Sequence, residues 1–212
     1  MKEQCRFCRI AENDISEKYD HPFRESSDFY SIVTIGAMIK GWHLIVPKAH
    51  ACSMKCFYQE PEFIKYINNE LQILWKTEKS IIAFEHGPNQ FGSKTACGTN
   101  HAHIHIVPNC ESLIDAMYAS KLKWLRCKPN DIADLVGAHE YLFYTELNRE
   151  TPWKSTEGYL CILETETSQF FRKLIAQNNG NPDQFDYKVF SNLEIVQESV
   201  IYLKKLFETR EE

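Results

Sequence analysis

The chain has 212 residues, 43% of them hydrophobic and 13% aromatic, with a formal net charge of -5. That is apolar material enough for a real core in one elaborated domain, or in one large and one small unit. The negative balance argues against a broad nucleic-acid surface but not against a small nucleotide held by local groups. No stretch approaches the roughly 18 apolar residues of a membrane span.

The N-terminal Met1-Lys2-Glu3-Gln4-Cys5 is polar and lacks the apolar run of a signal peptide, so a cytoplasmic protein is expected. Of the 8 cysteines, Cys52, Cys56, Cys97, Cys110, Cys127 and Cys161 are scattered singly and read as small buried or idle thiols. Cys5 and Cys8 differ. Their Cys-x-x-Cys spacing lets two thiolates clasp one metal ion, and half a zinc site of this kind needs two further ligands.

Asp28 to Val46 reads as a hairpin, with Phe29-Tyr30-Ser31-Ile32-Val33-Thr34-Ile35 going out and Trp42-His43-Leu44-Ile45-Val46 returning. Pro61 opens a helix whose stripe Phe63, Ile67, Leu71 and Leu74 predicts a span to about Lys79. Ile81 to Glu85 is a short buried strand. The loop from His86 to Asn100 has three glycines and many small polar groups, which suits phosphate oxygens because backbone N–H groups can approach closely there. Beyond Pro108 the pattern predicts a helix in Leu113 to Leu125, strands at Glu140 to Leu147 and Gly158 to Leu163, and helices at Ser168 to Gln177 and Leu193 to Glu208. This order predicts an α+β layer structure with a mainly antiparallel sheet. We divide it into a core, 1–111, and a C-terminal extension, 112–212, packed on that core.

The most informative stretch is His101-Ala102-His103-Ile104-His105-Ile106-Val107. In a strand, alternate side chains share a face, so the three imidazoles line one side while Ala102, Ile104 and Ile106 face a core. A row of imidazoles can serve as ligand, nucleophile and phosphate donor.

Three segments together resemble the histidine triad superfamily over roughly residues 5 to 110. They are this triad, the upstream Gly41-Trp42-His43-Leu44-Ile45-Val46-Pro47-Lys48-Ala49-His50, and Cys5-Arg6-Phe7-Cys8-Arg9-Ile10. Cys-x-x-Cys is similar to the zinc-bearing branch, and Phe84-Glu85-His86-Gly87 and Ala96 to His101 resemble a longer bacterial-type subgroup with a C-terminal extension.

The resemblance implies a histidine-triad-like fold and a closed, structural zinc site of Cys5, Cys8, His50 and His101. It further implies that His103 attacks the α-phosphorus of a nucleotide and that His105 hydrogen-bonds the phosphoryl or leaving oxygen. The other nitrogen of His103 should then donate to a backbone carbonyl. Substrate contacts are implied at Gly98, Thr99 and Asn100, and at Ile32 and Thr34, the last at about the position that often holds a ribose-binding Asp.

The implied activity is release of a nucleoside monophosphate from a phosphoanhydride or phosphoramidate, such as a diadenosine polyphosphate. The alternatives are a nucleotidyltransferase to a small acceptor and a non-catalytic nucleotide-binding protein. His105 favours hydrolysis, because the uridylyltransferase branch resembles His-Pro-His-Gly-Gln, with glutamine at this position. A homodimer is implied by the resemblance alone.

Four positions depart from the family pattern: Gly98 replaces Ser or Thr, Trp42 replaces a histidine, Thr34 stands at about the place of a ribose-binding Asp, and Glu85 replaces an Asn. His43 should point to the opposite face from Trp42. His21, His86 and His139 read as surface or core-satisfied histidines, and Arg172 as an exposed helical arginine.

Overall fold

The computed structural model describes residues 5–93, 101–165 and 167–208. Helix α1, Arg6–Ala11, begins one residue after Cys5. Strands β1 (Arg24–Glu25), β2 (Phe29–Val33) and β3 (His43–Pro47) follow, then helix α2 (Pro61–Leu74) and strands β4 (Ile81–Gly87) and β5 (Ile104–Pro108). The second half adds α3 (Ile114–Ala119), β6 (Leu125–Cys127), α4 (Ile132–Val136), β7 (Tyr141–Leu147), β8 (Gly158–Ile162), α5 (Phe170–Asn178) and α6 (Leu193–Glu208).

The strands form one sheet in the order β1-β2-β3-β5-β4-β7-β8-β6, and every described pair is antiparallel. The α+β class and mainly antiparallel sheet are as the sequence predicts. The sheet does not stop at residue 111. β7 pairs with β4 along its whole length, Ile81 with Leu147 through Gly87 with Tyr141, so the extension continues the core sheet as well as covering it. The connection from β5 to β7 runs through α3, β6 and α4 before the chain returns to pair with β4.

Two faces follow from strand alternation. Leu44 lies opposite His105, and His105 opposite Phe84, which puts these three on one face. Close by, Phe7 and Ile10 of α1 pack with Tyr30, Ile32, Leu44 and Val46 in a small buried cluster. The Tyr30 hydroxyl donates to the Phe7 carbonyl at 2.9 Å and ties α1 to β2.

Behind the opposite face lies α2, and a buried polar network crosses the interface. Glu70 of α2 meets His43 Nε2 at 3.0 Å, the Ser31 hydroxyl at 2.6 Å and Arg24 Nη1 at 3.1 Å. His43 Nδ1 donates to the Gly41 carbonyl at 2.7 Å. His43 thus points away from the face that carries His105, as alternation predicts. Among the described residues, no helix is long and apolar enough to cross a membrane.

Candidate functional site

The Cys-x-x-Cys spacing works because Cys5 caps the N-terminus of α1 and Cys8 lies within its first turn. One turn of helix brings the two sulfurs toward the same point. His50 follows the end of β3 and His101 precedes β5, and those strands are sheet neighbours. The four ligand atoms lie within 4.8 Å of one another.

His101 Nδ1 is 3.3 Å from Cys5 Sγ and 3.2 Å from His50 Nδ1, and Cys8 Sγ is 3.1 Å from His50 Nδ1. A tetrahedral zinc with ordinary bond lengths would set its sulfur–nitrogen and nitrogen–nitrogen edges at about 3.3–3.6 Å. The Cys8 Sγ–His101 Nδ1 edge of 3.5 Å falls within that range and the shorter edges lie within about half an ångström of it, so the cluster is close to the size a metal ion needs. The donor set fits as well. Pro47 O can only accept, so His101 Nε2 carries the hydrogen it donates there at 2.8 Å, leaving Nδ1 a lone pair for a metal. Burial lowers the His101 imidazole to about 4, despite the Pro47 carbonyl, and this also keeps Nδ1 unprotonated.

The sequence places all three triad histidines on one strand. In the structure the ladder begins at Ile104, so His101 and His103 precede it and only His105 lies within it. The residues stay adjacent: the His103 and His105 ring centroids are 5.1 Å apart, and Phe7 contacts both His101 and His103 rings. His103 Nδ1 donates to the His101 carbonyl at 2.8 Å, because a carbonyl offers no proton. Its Nε2 is therefore the nitrogen with a lone pair. Burial lowers the His103 imidazole below its ordinary value, against the His101 carbonyl and with help from the Arg6 charge, which keeps that lone pair available.

His105 is held on three sides. Phe84 stacks on it at 4.5 Å and 18°, the Trp42 ring meets it edge-on at 5.8 Å, and Trp42 Nε1 donates to His105 Nδ1 at 3.0 Å. Burial pushes the His105 imidazole well below its ordinary value, with smaller contributions from His103, Arg172 and His43.

A pocket opens over these rings, lined by His101, His103, His105, Phe84, Cys52 and His86 on one side and by Gln169, Phe170, Phe171 and Arg172 of the α5 region on the other. Two expectations are corrected here. Arg172 is not an exposed helical arginine: it is 4% exposed, with Nε donating to the Phe185 carbonyl and the guanidinium on the Gly36 carbonyl and over the Trp42 ring. His86 is not satisfied in the core: both ring nitrogens are buried without a hydrogen-bond partner among the described residues, at the pocket wall. Burial lowers its imidazole to about 4, with Glu140 opposing and His103 assisting.

Ile32 and Thr34 do not line this pocket. Ile32 is sealed in the small cluster beside α1, and the buried Thr34 hydroxyl donates to its neighbour, the Ile35 carbonyl. Gly98, Thr99 and Asn100 lie outside the described residues.

Glu85, where the family pattern has Asn, borders the pocket, but its oxygens accept from the Met54 amide at 2.6 Å and from the Tyr58 and Tyr141 hydroxyls. Burial raises its carboxyl to about 7 against these donors and the Lys55 charge. Trp42, Phe84 and Arg172 are the contributions that sequence reading missed. The one signal for Trp42 was its departure from the histidine usual at that position.

No family model matches the sequence, and no curated protein matches it. The fold is similar to a zinc-bound histidine triad family protein from Mycobacterium smegmatis, at 20% identity and TM-score 0.38 over 51% of this chain and 76% of that one. It is also similar to a histidine triad family hydrolase from Clostridium thermocellum, at 18% identity and TM-score 0.35 over 51% and 93%. A yeast Ap4A phosphorylase in complex with AMP aligns at 10% identity and TM-score 0.41 over 79% and 73%.

Proposed function

We propose that this chain is a histidine triad enzyme that releases a nucleoside monophosphate from a phosphoanhydride or phosphoramidate through a covalent intermediate on His103. The observation that carries this reading is the His103 ring itself. Its Nδ1 proton is committed to the His101 carbonyl at 2.8 Å, and its Nε2 is left as the nucleophilic nitrogen beside His105. The Nε2 lone pair forms a bond to the α-phosphorus as the bond from phosphorus to the leaving group breaks. The ring becomes a phosphorylated imidazolium, and the His101 carbonyl shares its charge through the retained Nδ1 proton. His105 donates to the phosphoryl or leaving oxygen. Water then cleaves the phosphorus–nitrogen bond, which releases the monophosphate and restores the lone pair on Nε2.

The metal assigned to Cys5, Cys8, His50 and His101 is zinc. Held by these four side chains it would have no open position and would supply structure rather than Lewis acidity. It would fix α1 and the His101 backbone, and through that backbone the His103 ring. The nucleotide is the partner, with Gly98, Thr99 and Asn100 offered as its contacts and a homodimer as the assembly that the resemblance implies.

Product analysis tests the reading. Wild-type protein is incubated with dinucleoside polyphosphates, nucleotide sugars and nucleoside phosphoramidates, with and without small acceptors, and the products are weighed. A nucleoside monophosphate without acceptor is the expected product. Turnover only with an acceptor would make the protein a transferase, and binding without turnover would make it a nucleotide-binding protein.

A further inference from the structure

We propose that Trp42, held in place by Arg172 of the C-terminal extension, is a positioning residue that fixes His105 as a donor through Nε2. The indole nitrogen is a donor only. At 3.0 Å from His105 Nδ1 it requires a lone pair on that nitrogen, so the ring hydrogen sits on Nε2. An imidazolium would set an N–H against the indole N–H, so the contact also opposes protonation of His105. Burial and the nearby Arg172 charge act in the same direction. The Phe84 stack fixes the plane of the ring and leaves the indole to fix its polarity.

Trp42 is itself clamped. It is fully buried, its ring lies edge-on to Phe84, and the Arg172 guanidinium sits over it at 4.9 Å. Arg172 is held by the Phe185 and Gly36 carbonyls, one from the extension and one from the β2–β3 connection. A chain of contacts thus runs from α5 through Trp42 to His105. It gives the extension a part in the site and accounts for a tryptophan where the family pattern has histidine.

This inference rests on the proposed role of His105 as the group that meets the phosphoryl or leaving oxygen, and its test separates the two. In nitrogen-labelled wild-type protein, nuclear magnetic resonance reads the His105 tautomer and a scalar coupling across the Trp42–His105 hydrogen bond, whether or not a substrate is known. The expected result is an Nε2–H tautomer with a coupling from the indole N–H to Nδ1. A protonated Nδ1, or no coupling, would overturn the proposal while leaving the nucleotide reading untouched.

Trp42→Phe should abolish the coupling and lower kcat by about tenfold to a hundredfold with KM little changed, the scale seen when a group that orients a ligand residue is removed. Trp42→His, which can donate again, should recover part of that loss, and Trp42→Leu should not. Equal kcat for the Phe, Leu and His variants would overturn it. If the Phe variant fails to fold, Arg172→Met reports on the same contact, with a weakened coupling expected and an unchanged coupling counting against the clamp.

Discussion

His103 donates its Nδ1 proton to the backbone carbonyl of His101 at 2.8 Å, while the side chain of His101 faces Cys5, Cys8 and His50. One residue therefore serves two sites. Its side chain joins the metal-ligand cluster, and its backbone sets which nitrogen of His103 carries the lone pair.

Removing a metal ligand should therefore reach the chemistry indirectly. Cys5→Ser and His50→Ala are expected to lose bound zinc and thermal stability together, because closing such a site is coupled to folding. At about 2–4 °C per kcal/mol for a chain of this size, a loss of about 3 kcal/mol lowers Tm by about 6–12 °C. Metal content by atomic emission and a calorimetric scan check this. A metal-free variant with unchanged Tm would refute the structural role.

Glu70 predicts an acid limb in the stability curve. Burial alone would raise its carboxyl, but the His43 ring, Arg24 and the Ser31 hydroxyl together hold it below the ordinary 4.5. Between the two values the unfolded chain binds more protons than the folded one. The stabilisation is complete above the unfolded value and is lost as pH falls through the folded one. Glu70→Gln breaks a buried ion pair and should cost about 3 kcal/mol at neutral pH. The gap from wild type should narrow on acidification, as read by denaturant midpoints across the pH range. A gap that stays constant down through that window would count against the network.

Gly36 marks where the extension locks onto the core. Its φ is +69°, a left-handed conformation that other residues adopt at a cost, and an added Cβ would lie 2.5 Å from Tyr187 Cβ and 2.9 Å from an Arg172 nitrogen. Gly36→Ala should destabilise by about 1–3 kcal/mol through strain and overpacking. It should also loosen Arg172 from Trp42, visible as a change in Trp42 fluorescence against the other tryptophans replaced by phenylalanine. Wild-type stability with an unchanged indole signal would contradict the close packing.

Much of this was legible in the sequence. The His-x-His-x-His run pointed to three rings that line one pocket, although only His105 lies in the ladder, and the stripe from Phe63 to Leu74 announced α2, which follows directly from helix geometry. α6 spans Leu193–Glu208, as the sequence predicts. α2 ends at Leu74 rather than near Lys79. Trp75 is its C-cap, and the Thr77 hydroxyl donates to the Leu74 carbonyl at 3.3 Å before the chain enters β4. Strand β6 escaped notice because two of its three residues are exposed, and it exists through its pairing with β8. The Trp42–His105 bond spans 63 residues and depends on the β3–β5 register, which no local pattern encodes. Arg172 reads as a surface residue because its partners, the Gly36 and Phe185 carbonyls, are backbone groups with no signature in the sequence.

The most direct test of the account is to look for the covalent intermediate. Wild-type protein is mixed briefly with a substrate from the product panel and denatured in alkali, where a phosphoramidate survives, and its peptides are weighed. One nucleotidyl group is expected on the peptide carrying His103, and neither adduct nor turnover in a folded His103→Asn variant that still binds its metal. Undiminished turnover by that variant, with no adduct on the wild-type peptide, would contradict it.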